Sequence, residues 1–266
     1  MSITRRRYPL SIIFSVIGSV LLLFTVFTLL NMVARQILFD FGGLIDAATD
    51  SFVLESIGLT LYASLLSTIF TVLFGTPLAY VLARHDFRGK SLIEAVVDVP
   101  IIIPHSVAGI ALYVLLMSRS PLGSVFANIG IVFEDHLAGI VAAMAFVSAS
   151  LYINAARDGF QSVDPRLERV ARTLGANQWE AFSRVTMPLA VKSLLSGAIL
   201  SWARGISEFG AVVIIAFYPM IAPVLIYYRF TTMGLKGSQP IAVMLIIICL
   251  TVFLLLRLYS ERWRRN

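Results

Sequence analysis

SIGLTLYASLLSTIFTVLFGTPLAYVLA, residues 56–83, runs from Glu55 to Arg84 without one charged side chain. As a helix it would extend about 42 Å, longer than the roughly 30 Å hydrocarbon core of a bilayer. A soluble core helix seldom stays uncharged on every side for that distance, so the stretch is read as a membrane span. The same pattern recurs, giving six transmembrane helices over approximately 8–34, 56–83, 94–118, 136–156, 190–217 and 237–258. Composition agrees: of 266 residues, 58% are hydrophobic and 14% charged, against about 25% charged in soluble domains. The expected fold class is an all-α membrane protein, with one transmembrane domain over 1–266.

Arg5, Arg6 and Arg7 ahead of the first span would suit a signal peptide. The apolar stretch is too long for one, however, and residues 31–35 make a poor small-x-small cleavage site, so a retained helix is expected. Lysine and arginine set the orientation. With the N-terminus inside, sixteen of them fall in cytoplasmic segments, while the outer segments hold only Arg35, Arg119, Arg229 and Lys236. Both termini are therefore expected in the cytoplasm. The net charge of +6 is a topology signal and needs no nucleic acid to explain it. Cys249 is the single cysteine and cannot form an intrachain disulfide.

Residues 157–192, between spans four and five, are too long for a mere connector, which usually takes about 2–8 residues. Asp164-Pro165 is a helix start: an N-cap, then proline where its missing N–H costs nothing. Leu167, Val170, Ala171 and Leu174 share one apolar face, and Gly175 supplies a C-terminal cap. Asn177 with Glu180 forms a capping box for a second short helix, with Trp179 and Phe182 on one face, and Pro188 ends that turn or opens the next span. Two short cytoplasmic helices joined by a tight glycine turn are predicted. Periodicity alone leaves open an amphipathic helix lying on lipid headgroups through Arg166, Arg169 and Arg172.

Residues 167–176, with Val185-Thr186-Met187-Pro188, resemble the EAA loop of ATP-binding-cassette importer permeases. Gly175, Ala171 and Pro188 stand at that family's spacing. Arg169 replaces its glutamate, Val170 its first alanine, Val185 its isoleucine and Met187 its leucine, while Glu168 stands one position early. The resemblance implies a coupling helix that docks on a separate ATPase subunit, through Asp164, Leu167, Glu168, Arg169, Ala171, Leu174, Gly175, Ala176 and Pro188. Residues 98–104 (DVPIIIP), Val107-Ala108-Gly109, Pro121-Leu122-Gly123 and residues 204–211 (RGISEFGA) are similar to stretches of molybdate, tungstate and sulfate permeases. That likeness implies a multi-pass permease of a prokaryotic plasma membrane importing a tetrahedral oxyanion, with molybdate or tungstate ahead of sulfate or thiosulfate. It also implies a homodimer with a central passage, two ATPase subunits and an extracytoplasmic oxyanion-binding protein.

Several residues inside the spans bear on the passage. Pro100 and Pro104 free backbone carbonyls within span three and allow a bend. Arg204 and Glu208, at i and i+4, can neutralise each other, either as a lock between helices or near Ser207 on the path. Ser56, Thr60, Ser64, Ser67 and Thr71 form a hydroxyl stripe, read as a packing seam or, for Ser56, Thr60 and Ser64, as a lining of weak donors. No basic cluster is visible within the spans. A phosphate-binding Gly-x-x-x-x-Gly-Lys-Ser/Thr is absent, and His85, His105 and His136 are scattered, so no cofactor, metal or catalytic site is expected and the chain is read as a transport subunit and not an enzyme. The rival class is an ion-coupled secondary transporter, which would use an unpaired intramembrane acid such as Asp98 or Glu208.

Overall fold

The computed structural model describes residues 9–265, and side chains within residues 10–254. Arg5, Arg6 and Arg7, and the side chains of Arg257, Arg262, Arg264 and Arg265, lie outside the described set. Every regular element in it is helical: α1 (Pro9–Phe39), α2 (Phe41–Thr49), α3 (Ser51–Arg84), α4 (Lys90–Ile102), α5 (His105–Leu116), α6 (Pro121–Asn128) and α7 (Leu137–Ser162) come first. Next are α8 (Pro165–Thr173), α9 (Gln178–Ala181), a π-helical turn (Phe182–Thr186), α10 (Met187–Ile206), α11 (Val212–Ile215), α12 (Ala222–Met233) and α13 (Leu235–Arg265).

Helices α3, α7 and α10 form the centre. The Thr76 and Tyr152 hydroxyls meet at 2.6 Å between α3 and α7, inside a core of Ala79, Leu82, Ile153, Ala156 and Phe160. Toward the other end, Ala63, Ile140, Met144, Val147, Val212 and Ile215 make a second core. Around this centre α1 behaves differently. Over its first five turns and more its residues are apolar on all sides and mostly exposed, with Leu21 at 72% and Phe27 at 72%, which suits a helix bathed in lipid, whereas Gln36 near its end is buried. It is tethered near its end by the Gln239 amide, which donates to the Met32 carbonyl at 3.3 Å.

Among the described residues, five helices are long and apolar enough to cross a membrane, and α4 with α5 makes a sixth crossing if counted as one span. In the expected span over 94–118, the bend that Pro100 and Pro104 allow is a sharp break: the two halves meet at 113°. Proline explains the break. Ile103, before Pro104, takes an extended backbone (φ −76°, ψ 143°), as a residue preceding proline prefers, and Pro104 caps α5. Pro100 sits buried inside α4. The expected span over 190–217 also fails as one helix. It begins earlier, at Met187, stops at Ile206 and resumes as the four-residue α11. Beyond it, where an outer loop was expected, α12 packs with α13 and α3 around Val53, Ile57, Ala222, Leu225 and Ile241.

The topology is set by which ends touch. Arg84, closing α3, donates to the Val163 carbonyl just past α7 at 3.0 Å, so α3 and α7 run parallel and residues 85–136 must cross between them. At the opposite end, the Asp135 amide donates to the Ile215 carbonyl and Arg229 pairs with Asp50 at 3.2 Å. Helices α1 and α13 meet near that same end, so both point their far ends toward the side that carries α8.

Candidate functional site

Two regions gather the residues singled out in the sequence. The first is the cap formed by residues 163–186. Asp164 accepts from the Arg166 amide at 2.8 Å, with Pro165 opening α8, as its residue types dictate. Gly175 has φ +97°, a conformation that costs a side-chain-bearing residue about 1 kcal/mol or more, and it reverses the chain. Asn177 and Glu180 complete a reciprocal capping box. Helix α7 runs on to Ser162 and the turn before α10 is helical, so the loop proper is shorter than the expected 157–192.

No residue of α8 is buried. Leu167 (46% exposed), Val170 (56%), Leu174 (83%) and, beyond the turn, Trp179 (71%) present large apolar groups outward, flanked by exposed Arg169 and Gly175 and by half-buried Ala171 and Ala176. Pro188 lies in the first turn of α10. Glu168 points the other way. Its carboxylate accepts from Arg84 Nε at 2.8 Å, Thr186 Oγ1 at 2.6 Å and the Tyr80 hydroxyl at 3.4 Å, and so ties α8 to α3 and to the base of α10. A cleft of about 200 Å³ lies beneath, lined by Tyr80, Arg84, Glu168, Arg169, Arg172 and Gln178. Sequence reading placed Glu168 among the outward contacts and missed Arg84 and Thr186. The one available signal was Arg84 as the first charge after a long uncharged run.

The second region is where the two broken spans meet. Gly210 lies so close to α5 that a Cβ there would stand 2.7 Å from His105 Cβ, and one on Gly109 would stand 2.8 Å from the Ala211 carbonyl oxygen. This approach brings His105, Arg204 and Glu208 together. Arg204 donates to Glu208 Oε2 at 3.0 Å, His105 Nδ1 stands 3.3 Å from the same oxygen, and the Ala211 amide donates to Glu208 Oε1 at 2.8 Å. Glu208 is almost wholly buried (side chain 2% exposed), whereas Arg204 (25%), His105 (42%), Ser207 and Pro104 remain accessible. Of the two acids named for an ion-coupled mechanism, Glu208 is paired with Arg204, and Asp98 accepts a hydrogen bond from the Asn154 amide at 2.7 Å.

The cluster sits well inside the membrane. Arg204 lies one turn or less from Trp202, whose carbonyl accepts from Ser64 at 2.6 Å. Along α3, Ser64 is about 20 Å from Ser51 and about 30 Å from Arg84 at the rise of an ideal helix. The hydroxyl stripe is the seam that holds this level together. Ser56, Thr60, Ser64, Ser67 and Thr71 are all buried inside the subunit, and Thr60 accepts from the Ala222 amide at 2.8 Å. Ser56, Thr60 and Ser64 therefore sit in a packing seam within the subunit and present almost no accessible surface. Small hydroxyl residues let backbones approach closely, which is the physical reason. No group of three metal-ligating side chains is found among the described residues.

Against known families, residues 75–265 match the binding-protein-dependent transport system inner membrane component. The chain belongs to that family. This permease is 45% identical to the molybdate/tungstate transport system permease protein of Pyrococcus abyssi, over 95% of this chain and 96% of that one. It is 32% identical to a probable sulfate transport system permease protein of Chlorokybus atmophyticus, over 94% and 87% of the two chains. Its fold is shared with a bacterial alginate transporter of the ATP-binding-cassette type, solved with a sugar-loaded periplasmic protein, at a TM-score of 0.68 and 20% identity over 95% and 93% of the chains. The permease is thus a transport component of the inner membrane and not an enzyme.

Proposed function

We propose that this permease forms, as a homodimer, the passage of an ATP-driven importer for a tetrahedral oxyanion, molybdate or tungstate. Two ATPase subunits grip it from the cytoplasm, and an extracytoplasmic binding protein delivers the anion. The observation that carries this reading is the cap: Leu167, Val170, Leu174 and Trp179 are exposed on a short helix that Glu168 fastens to the span bundle. An apolar patch facing cytosol invites a partner, and a fastened helix passes the partner's movement to α3 and α10. Arg169, Ala171, Gly175 and Ala176 complete the docking face, Asp164 and Pro188 fix its ends, and the described far ends of α1 and α13 point to that same side. The accessible polar surface of Ser207, Arg204 and His105 at mid-span cannot face lipid cheaply, which supports a second copy and water against it, with Pro104 and Glu208 at the same level. Closeness to the Pyrococcus abyssi protein supports molybdate or tungstate.

The test is reconstitution of the permease with its ATPase and receptor in proteoliposomes, measuring labelled molybdate uptake with ATP inside. ATP-dependent, receptor-dependent accumulation is expected. Uptake driven by a proton or sodium gradient without ATP refutes the proposal. The 32% likeness to a sulfate permease favours sulfate as the second reading, and calorimetric titration of the receptor with molybdate, tungstate and sulfate separates the two.

A further inference from the structure

We propose that Arg204, His105 and Ser207 form an anion waypoint at the meeting of the two broken spans, and that Glu208 acts as a positioning residue that keeps the waypoint weak. This rests on the importer reading above. The distribution of exposure is the starting point. In a purely structural ion pair both partners are commonly shut away together, but here the carboxylate alone is sealed, at 2% exposure, with Arg204 at 25% and His105 at 42%. The Arg204 guanidinium and the His105 ring reach the accessible side and the carboxylate does not. Ser207, exposed just past the end of α10, accepts from Arg204 Nη1 at 3.3 Å and donates its own hydroxyl to the Arg204 carbonyl at 2.9 Å, a bond that an arriving anion would take over. Arg204 Nη2 approaches both ring nitrogens of His105, at 3.2 and 3.0 Å, so guanidinium and imidazole lie side by side. The Arg204 Nε–H has no protein acceptor among the described residues.

Charge explains why such a set suits transit. A dianion entering a low-dielectric level needs hydrogen-bond donors to replace its water, yet a site of net positive charge would hold it and stop release. With Glu208 beside Arg204 the pair is neutral, so the donors remain but the excess charge does not. Glu208 is fixed for this task by the Ala211 amide at 2.8 Å, and Gly210 and Gly109 give the backbone room to bring α5 and residues 207–211 into contact. In a homodimer the set is doubled across the symmetry axis, and four-oxygen anions match donors arriving from opposite sides.

The experiment uses the full complex in proteoliposomes, with molybdate, tungstate and sulfate as probes, and measures anion uptake and ATP hydrolysis together. The double variant Arg204→Gln/Glu208→Gln removes both charges while leaving hydrogen-bonding groups, so the helix contact survives. Molybdate moved per ATP should fall at least about tenfold while receptor-stimulated hydrolysis stays within about twofold, and Arg204→Lys should retain most of the transport. Glu208→Gln alone leaves Arg204 uncompensated and should make the purified complex retain molybdate through gel filtration, read by elemental analysis. Wild-type transport per ATP in the double variant overturns the proposal, as does a parallel loss of hydrolysis and uptake, which marks a structural lock. A wild-type complex that hydrolyses ATP but moves none of the three anions overturns the importer reading instead, and this proposal with it.

Discussion

Replacing Glu168 by alanine should release the coupling cap from the spans. The carboxylate holds Arg84 at 2.8 Å and Thr186 at 2.6 Å, with side-chain exposures of 17% for Glu168 and 8% for Arg84. Without it, the Arg84 guanidinium keeps only the Val163 carbonyl among the hydrogen bonds it now makes. Breaking one side of a buried pair costs about 3–5 kcal/mol, and partial solvent access around Glu168 puts this case at the lower end, about 3 kcal/mol. That corresponds to roughly a 150-fold rise in the population with α8 detached. Limited trypsin digestion of the detergent-purified complex reads this directly, since Arg166, Arg169 and Arg172 lie on α8. Cleavage there should accelerate by about two orders of magnitude, in step with the detached population. A double-mutant cycle with Arg84→Gln isolates the pair, and the two single substitutions should be far from additive. A change in cleavage below about threefold, or simple additivity, refutes the idea that this ion pair fastens the cap.

Gly175→Asp should abolish coupled uptake while ATP hydrolysis persists and the spans stay inserted, because it puts a charged side chain at φ +97° on the docking face; normal uptake would remove the role given to this turn. Gly109→Ala should destabilise the junction of the broken spans by about 1–3 kcal/mol, since the added methyl meets the Ala211 backbone at 2.8 Å and neither helix can yield locally; thermal denaturation of the purified subunit in detergent checks it. Glu134 in the outer segment has its carboxyl held below the usual range, first by the Ser118 hydroxyl at 2.5 Å and then by the Ser118 amide at 2.9 Å. A depressed folded pKa means this contribution is fully present above the unfolded value of 4.5 and is lost as pH falls through the lower folded value. Hydrogen exchange at the Ser118 amide should therefore be faster in Glu134→Gln than in the parent protein at neutral pH, and the two should converge in acid.

Local chemistry was enough to read the apolar spans and the two short helices after span four, though not the short helices α2, α6, α11 and α12. Uncharged runs such as 56–83 announce spans because a bilayer leaves the backbone no alternative to helix, and lysine and arginine alone gave the expected orientation. The caps of α8 and α9 were equally legible, since Asp164-Pro165, Gly175 and the Asn177–Glu180 box act within one turn of helix. Interactions between distant residues were not legible. Nothing in the order of residues shows that Glu168 faces Arg84, 84 positions away, or that His105 lies beside Arg204, 99 positions away. Pro104 announced a bend but not its size of 113°, and the break at Ser207 was hidden altogether: apolar composition reports depth in the membrane but not continuity of the helix. A side chain's composition fixes which solvent it prefers, whereas its partner is fixed only when packed helices choose their register, and there the tertiary structure alone decided.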